Sequence, residues 1–169
     1  MYTHGNNREP LVKGTGSHRL NLLLTYGGWR ERPAVHQLPH LLAPLGIHAM
    51  EARCGEEAEA LIRRESVHIA VVDLEIPHRA ITRTGAPPMS RIEEGLRVLQ
   101  LLKRLDPSPP TIVVRPPQPS TREHARGLSQ SLRDGAFAVL DRPLQLESML
   151  EVLRRILKRH YQDGWPSIT

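Results

Sequence analysis

A single cysteine, Cys54, occurs in the 169 residues, which excludes an internal disulfide and any CxxC-based zinc ribbon. Aromatic residues are nearly as scarce. One Phe, three Tyr and two Trp offer little on which nucleic-acid bases would stack. No apolar run approaches the roughly 20 residues of a membrane span, and the polar stretch from Met1 to His18 has no apolar segment of the secretory kind. Membrane and secreted classes drop out, and a cytoplasmic protein in a reducing compartment is expected.

What is present is enough apolar material, 39% of the residues, for one domain with a sizeable core. The net charge of +5 and the pI near 10 raise nucleic acid as a partner, because clustered Lys and Arg displace counterions from a phosphate backbone. The clusters themselves argue against it. Arg63-Arg64, and Arg154-Arg155 with Lys158-Arg159, fall on the polar sides of predicted helices, where a solvated face is the simpler reading.

Apolar runs of strand length alternate with stretches of helical spacing. Strands are predicted at Leu20–Leu24, His48–Ala52, Val67–Val72, Thr111–Val114 and Phe137–Leu140. Helices are predicted at Ala34–Leu45, Glu56–Arg64, Gly95–Leu105, Thr121–Arg133 and Leu144–His160. Pro39 sits awkwardly in the first helix, which is therefore expected to kink or to start late. The second helix opens on Glu56 and Glu57, which complement its dipole, and the third stops at Asp106-Pro107. Five βα repeats with short apolar strands predict an α/β fold whose parallel sheet is covered on both sides. Residues 1–18 and 161–169 show no such periodicity and read as tails. No repeat and no second domain is found.

The third strand ends in Val71-Val72-Asp73, followed by Leu74-Glu75-Ile76-Pro77. A carboxylate there lies at the C-terminal mouth of a buried strand, where open α/β sheets gather their ligands. This stretch, with Leu45-Gly46, Ala52, Gly55-Glu56-Glu57-Ala58 and Asp134-Gly135-Ala136-Phe137-Ala138-Val139-Leu140-Asp141-Arg142-Pro143, resembles the receiver domain of bacterial two-component response regulators over residues 19–160. The resemblance implies a flavodoxin-like (βα)5 fold, a three-layer α/β/α arrangement whose doubly wound five-stranded parallel sheet has the order 2-1-3-4-5. It also implies an Asp that accepts a phosphoryl group from a histidine kinase, an acidic pair after strand one that holds Mg²⁺, a Ser or Thr after strand four, and a Lys before Pro after strand five.

Asp73 matches the acceptor, and the other positions depart. Thr25 and Tyr26 stand where the acidic pair should be, and neither replaces a carboxylate around a hard divalent cation; loss of Mg²⁺ is expected. Arg115 occupies the Ser/Thr position and Arg142 the Lys position. Both arginines are permanently charged and suited to carboxylates. Arg142 in particular is expected to pair with Asp73 and hold it in a phosphate-independent state. Gly95, the glycine that would open helix three, comes 22 positions after Asp73, and the resemblance implies a far shorter gap. The added basic, proline-containing stretch, about residues 78–92, is expected to form a loop over this edge, either as a partner-binding element or as a mobile one.

Lesser signals are absorbed by plainer readings. His36 and His40 have helical metal-pair spacing, but no Glu follows in an HExxH pattern. Gly27-Gly28 lacks the rest of a phosphate loop. Cys54 is assigned to packing, and Arg115-Pro116-Pro117-Gln118-Pro119 to a stiff connector. The expected function is that of an atypical, non-enzymatic receiver acting as a phosphorylation-independent protein-interaction module in signal transduction. A homodimer through the helix 4/strand 5/helix 5 face is implied by the resemblance. Two alternatives stand beside it: a receiver that still accepts phosphate on Asp73, and a flavodoxin-like small-molecule binder using Thr25, Tyr26 and Arg115.

Overall fold

The computed structural model describes residues 20–25, 37–79, 91–116 and 120–161. Within them lie five parallel strands: β1 (Leu20–Thr25), β2 (Ile47–Ala52), β3 (Ile69–Asp73), β4 (Thr111–Arg115) and β5 (Ala138–Asp141). They form one sheet in the order β2-β1-β3-β4-β5, the order implied by the resemblance. Burial follows position in the sheet. Strands β3 and β4 are buried at every residue, and β1 at all but Asn21, so they read as continuous apolar runs. Edge strand β2 exposes His48 and Glu51. The other edge, β5, is only half-buried along its whole length.

Side chains alternate between the two faces. Leu22, Leu24, Val71, Ile112 and Val114 meet Leu38, Leu42, Met149, Leu153 and Ile156 in one core cluster. Leu23, Ala70, Val72 and Val113 meet Ala58, Ile62, Val98 and Leu102 in the other. Helices α1 (Leu38–Leu42) and α5 (Leu146–Tyr161) therefore cover one face, and α2 (Gly55–Arg64) and α3 (Arg91–Lys103) cover the other. Helix α4 (Thr121–Arg133) lies along β5, and none of its described side chains is fully buried.

Several element boundaries differ from the sequence expectation, each for a physical reason. Helix α1 starts at Leu38 with Pro39 in its first turn, where a missing N–H is no loss; the predicted residues 34–36 lie outside the described residues. Strand β3 begins at Ile69, because His68 is taken up in a polar cluster. Its N–H donates to Asn21 O, and its Nδ1 accepts the Asn21 N–H at 2.9 Å. Helix α3 begins at Arg91, so Arg91 and Ile92 belong to a helix and not to the loop. Gly95 has a different role from opening it. A Cβ there would stand 2.5 Å from Leu74 Cα, so only glycine lets α3 press against the backbone that follows Asp73. Helix α4 has the predicted bounds, and Ser120 caps it by accepting the Glu123 N–H at 3.2 Å. The tails, and residues 80–90 of the expected loop, lie outside the described residues.

The two ends of the sheet respond differently to acid. Burial pushes the His68 imidazole below its ordinary value of 6.5, and the bond its Nδ1 accepts is lost on protonation. Because the folded state resists this proton, His68 contributes stability that is complete above pH about 6.5 and is lost as pH falls below it. For Glu94, burial pushes the carboxyl up, but bonds from Arg97 and His78 outweigh it and hold the group below its ordinary 4.5. Its contribution is lost in a lower window, as pH falls below that value. Thermal unfolding is expected to show a first loss of Tm between pH 7 and 5, flattened in His68→Asn, which keeps an acceptor without a titrating ring.

Candidate functional site at the C-terminal edge of the sheet

Asp73 is the last residue of β3 and is 0% exposed. Its N–H donates to Thr25 Oγ1 at 2.8 Å, and the Thr25 hydroxyl donates to Val71 O at 3.0 Å. Thr25, also 0% exposed, thus uses its hydroxyl to join the ends of two adjacent strands. The Asp73 carboxylate accepts at Oδ1 from the Glu75 N–H at 2.9 Å and from Arg142 Nη2 at 2.7 Å. The short second distance is that of a charge-assisted bond. The same Arg142 Nη2 lies 2.9 Å from Glu75 Oε2, so one guanidinium bridges two carboxylates.

Arg142 follows β5, two strands away from Asp73. Its backbone is fixed by the bond from its N–H to Arg115 O at 3.0 Å, and its side chain crosses the end of β4. Arg115 itself ends β4 and is 2% exposed. The β4–β5 register sets it opposite Asp141, and its guanidinium donates to that carboxylate through Nε and, at 3.4 Å, through Nη2. Two arginine–carboxylate pairs therefore tie β3, β4 and β5 together at one edge.

The structure brings Asp73, Thr25 and Arg142 into one bonded cluster, with Arg115 beside it on Asp141. Tyr26 lies outside the described residues. Two participants were quoted in the sequence motifs but given no role. Glu75 is the second carboxylate on Arg142, and Asp141 is the partner of Arg115. The signal for Asp141 was its place at the end of β5, in parallel register with a charged residue ending β4.

A second charged cluster adjoins this edge. Gly55 N–H and Glu56 N–H, at the start of α2, donate to Pro77 O and His78 O at 2.8 and 3.1 Å. Glu94 of α3 is 9% exposed and lies against Gly55, where a Cβ would come within 1.7 Å of Glu94 Oε1. That carboxylate is held by Arg97 Nη2 at 2.8 Å and His78 Nδ1 at 3.1 Å, and Arg97 Nη1 reaches Glu59 at 2.9 Å. The segment leaving Asp73 is thus pinned between two helices. Among the described residues, no group of three His, Cys, Asp or Glu is placed to hold a metal ion.

No protein-family profile matches the chain, and no curated protein matches it. Solved structures do. A response regulator receiver domain protein (CheY-like) from Methanospirillum hungatei aligns with a TM-score of 0.60 at 20% identity, covering 86% of this chain and 98% of its own. The non-phosphorylated HemR receiver domain from Leptospira biflexa aligns with a TM-score of 0.57 at 19% identity, over 88% of this chain and 99% of that one. NtrX from Brucella abortus, in complex with ADP, aligns with a TM-score of 0.57 at 17% identity, over 85% of this chain and 28% of that longer one.

Arg142→Met leaves Asp73 buried without this cation, and removing one member of a buried pair costs about 3–5 kcal/mol. The pair Asp73→Asn with Arg142→Met is expected to lose much less than the sum of the two single changes. Urea unfolding of the four proteins measures this coupling, and additive losses would show that the contact carries little. The structure alignments, over nearly the full length of the receiver domains, give this chain the five-stranded α/β fold of response-regulator receivers.

Proposed function

We propose that the chain is an atypical receiver domain that acts as a phosphorylation-independent protein-interaction module in signal transduction. The observation that carries this reading is the fully buried Asp73 carboxylate, already bonded by Arg142 and by the Glu75 N–H. Phosphoryl transfer to an Asp works by positioning and by neutralising charge on the transferred oxygens, with Mg²⁺ bridging them. In this chain the position of one expected metal-binding acid is Thr25, whose hydroxyl is engaged by two strand ends. The residues described at the edge do not suit Mg²⁺, and its loss is part of the proposal.

The second arm of the reading concerns the switch. A Ser or Thr after β4 would follow an arriving phosphoryl group; Arg115 is instead held by Asp141. With both cations at the edge engaged by carboxylates, the domain keeps one state. It signals by which surface it presents and not by a change at Asp73. No described helix is long and apolar enough to cross a membrane, and cytoplasmic action is part of the same proposal.

That surface is the edge formed by α4 and β5. Every residue of β5 is half-buried, although its neighbour β4 is buried throughout. Leu132 of α4 is 47% exposed, and Leu128 on the same face is half-buried. A parallel sheet edge left this open is completed by association, and we assign it to a homodimer through α4, β5 and α5.

Two measurements test these arms separately. After incubation with acetyl phosphate and Mg²⁺, the intact mass is expected to be unchanged. A stoichiometric gain of one phosphoryl group on Asp73 would instead support a receiver that remains a phosphoacceptor. Light scattering is expected to give a dimer that Leu132→Asp converts to monomer; a wild-type monomer over the micromolar range removes the dimer assignment without touching the first arm.

A further inference from the structure

Four acidic side chains on one side of the sheet are engaged. Glu56, Glu57, Glu59 and Glu94 are paired with Arg79, Arg53, Arg63 and Arg97. Helix α5, on the opposite face, is different. Arg154, Arg155, Lys158 and Arg159 are all exposed, and among the described residues none of them has a carboxylate within ion-pair distance. They form two adjoining rows at i, i+4 spacing, with neighbours about 5–6 Å apart. Other cations without such a partner, among them Arg64, Lys103, Arg122 and Arg126, are spread over three helices.

The layer that carries this patch also carries exposed apolar groups. Leu38 and Leu42 of α1 share a core cluster with Leu153 and Ile156 of α5, which puts both helices on one face. Leu41 of α1 is 42% exposed, and Leu45, in the 3-10 turn Ala43–Leu45 that follows it, is 45% exposed. Cations and exposed leucines in one layer suit a ligand that is itself both acidic and apolar.

Charge decides where that ligand comes from. A second copy brings its own excess of cations, and Glu56, Glu57, Glu59 and Glu94 on its α2–α3 side are already paired. Glu147 and Glu151 stand on the cationic helix itself, and the chain outside the described residues is no better suited. Residues 1–19 and 26–36 hold more cations than anions, and residues 162–169 offer only Asp163. We propose that the α1–α5 layer docks an acidic amphipathic segment of a different protein, its carboxylates on the α5 cations and its apolar side chains on Leu41 and Leu45. Nucleic acid fits the same surface poorly. The aromatic rings beside the cations are already engaged: Phe137 meets the His160 ring edge-on at 5.7 Å, and the Tyr161 hydroxyl is committed to His68 O at 2.6 Å. The proposal does not depend on the state of Asp73; because it shares α5 with the proposed dimer, a dimer that covered these cations would compete with it.

The test uses the full chain and fluorescence anisotropy with a labelled synthetic peptide of Leu and Glu patterned as an amphipathic helix. Two further probes are the same peptide with Ser for Leu, and a DNA duplex. The Leu-Glu peptide is expected to bind. Its affinity should fall about tenfold or more in the double variant R155E/R159E, stay near wild type in R155K/R159K, and fall when either L41S/L45S or the Ser peptide is used. Far-UV circular dichroism checks that each variant is folded. The proposal is overturned if the peptide does not bind, if R155E/R159E binds it as wild type does, or if the duplex binds as tightly as the peptide.

Discussion

The guanidinium of Arg142 lies between Asp73 and Glu75, and the whole C-terminal edge of the sheet is arranged around that contact. Strands two apart in a sheet are separated by roughly 10 Å, a distance no hydrogen-bond ladder spans. Arg142 covers it with its side chain, passing over the end of β4. The carboxylate it reaches is buried at a strand end where the backbone is held by Thr25 on one side and by the glycine contact of α3 on the other. Asp73 cannot be moved without disturbing β1, β3, β5 and α3 together.

A buried ion pair is a weak source of stability, because desolvating two charges offsets most of their attraction. Its effect is on which arrangement the chain can adopt. With Asp73 ionised and matched, any other placement of the loop after β3 leaves a charge in the interior, and that alternative is steeply unfavourable. The Arg115–Asp141 pair extends the same constraint to β4. The edge that in an open α/β sheet is free to meet a ligand is here filled by the protein's own side chains.

Much of this was readable from residue order. Continuous apolar runs gave the central strands because both their faces are covered, and the predicted bounds of α4 hold because the Ser120 cap and the turn at Asp134-Gly135 act locally. The position of Asp73 followed from its place at the end of such a run. What could not be read depended on contacts between distant segments. His68 is apolar in context, yet it is withdrawn from β3 by bonds to Asn21 and Tyr161, far away in sequence. Gly95 looks like a helix opener; its reason is the backbone of Leu74, which only the folded chain brings near. For Arg115, the parallel register supplies Asp141 as a partner at its side, a pairing set by two strands that only the fold brings together.

The contact between Gly55 and Glu94 has a consequence for how this domain can vary. The space that a side chain would fill at the first residue of α2 is occupied by the carboxylate of α3, so the two positions share a single volume. A larger residue at 55 requires the Glu94 side chain to swing aside or to be shortened. Either change takes from Arg97 and His78 their common acceptor, leaving Arg97 with Glu59. Four residues on three segments are therefore coupled through one another's size and charge, so a change at one is felt at the other three.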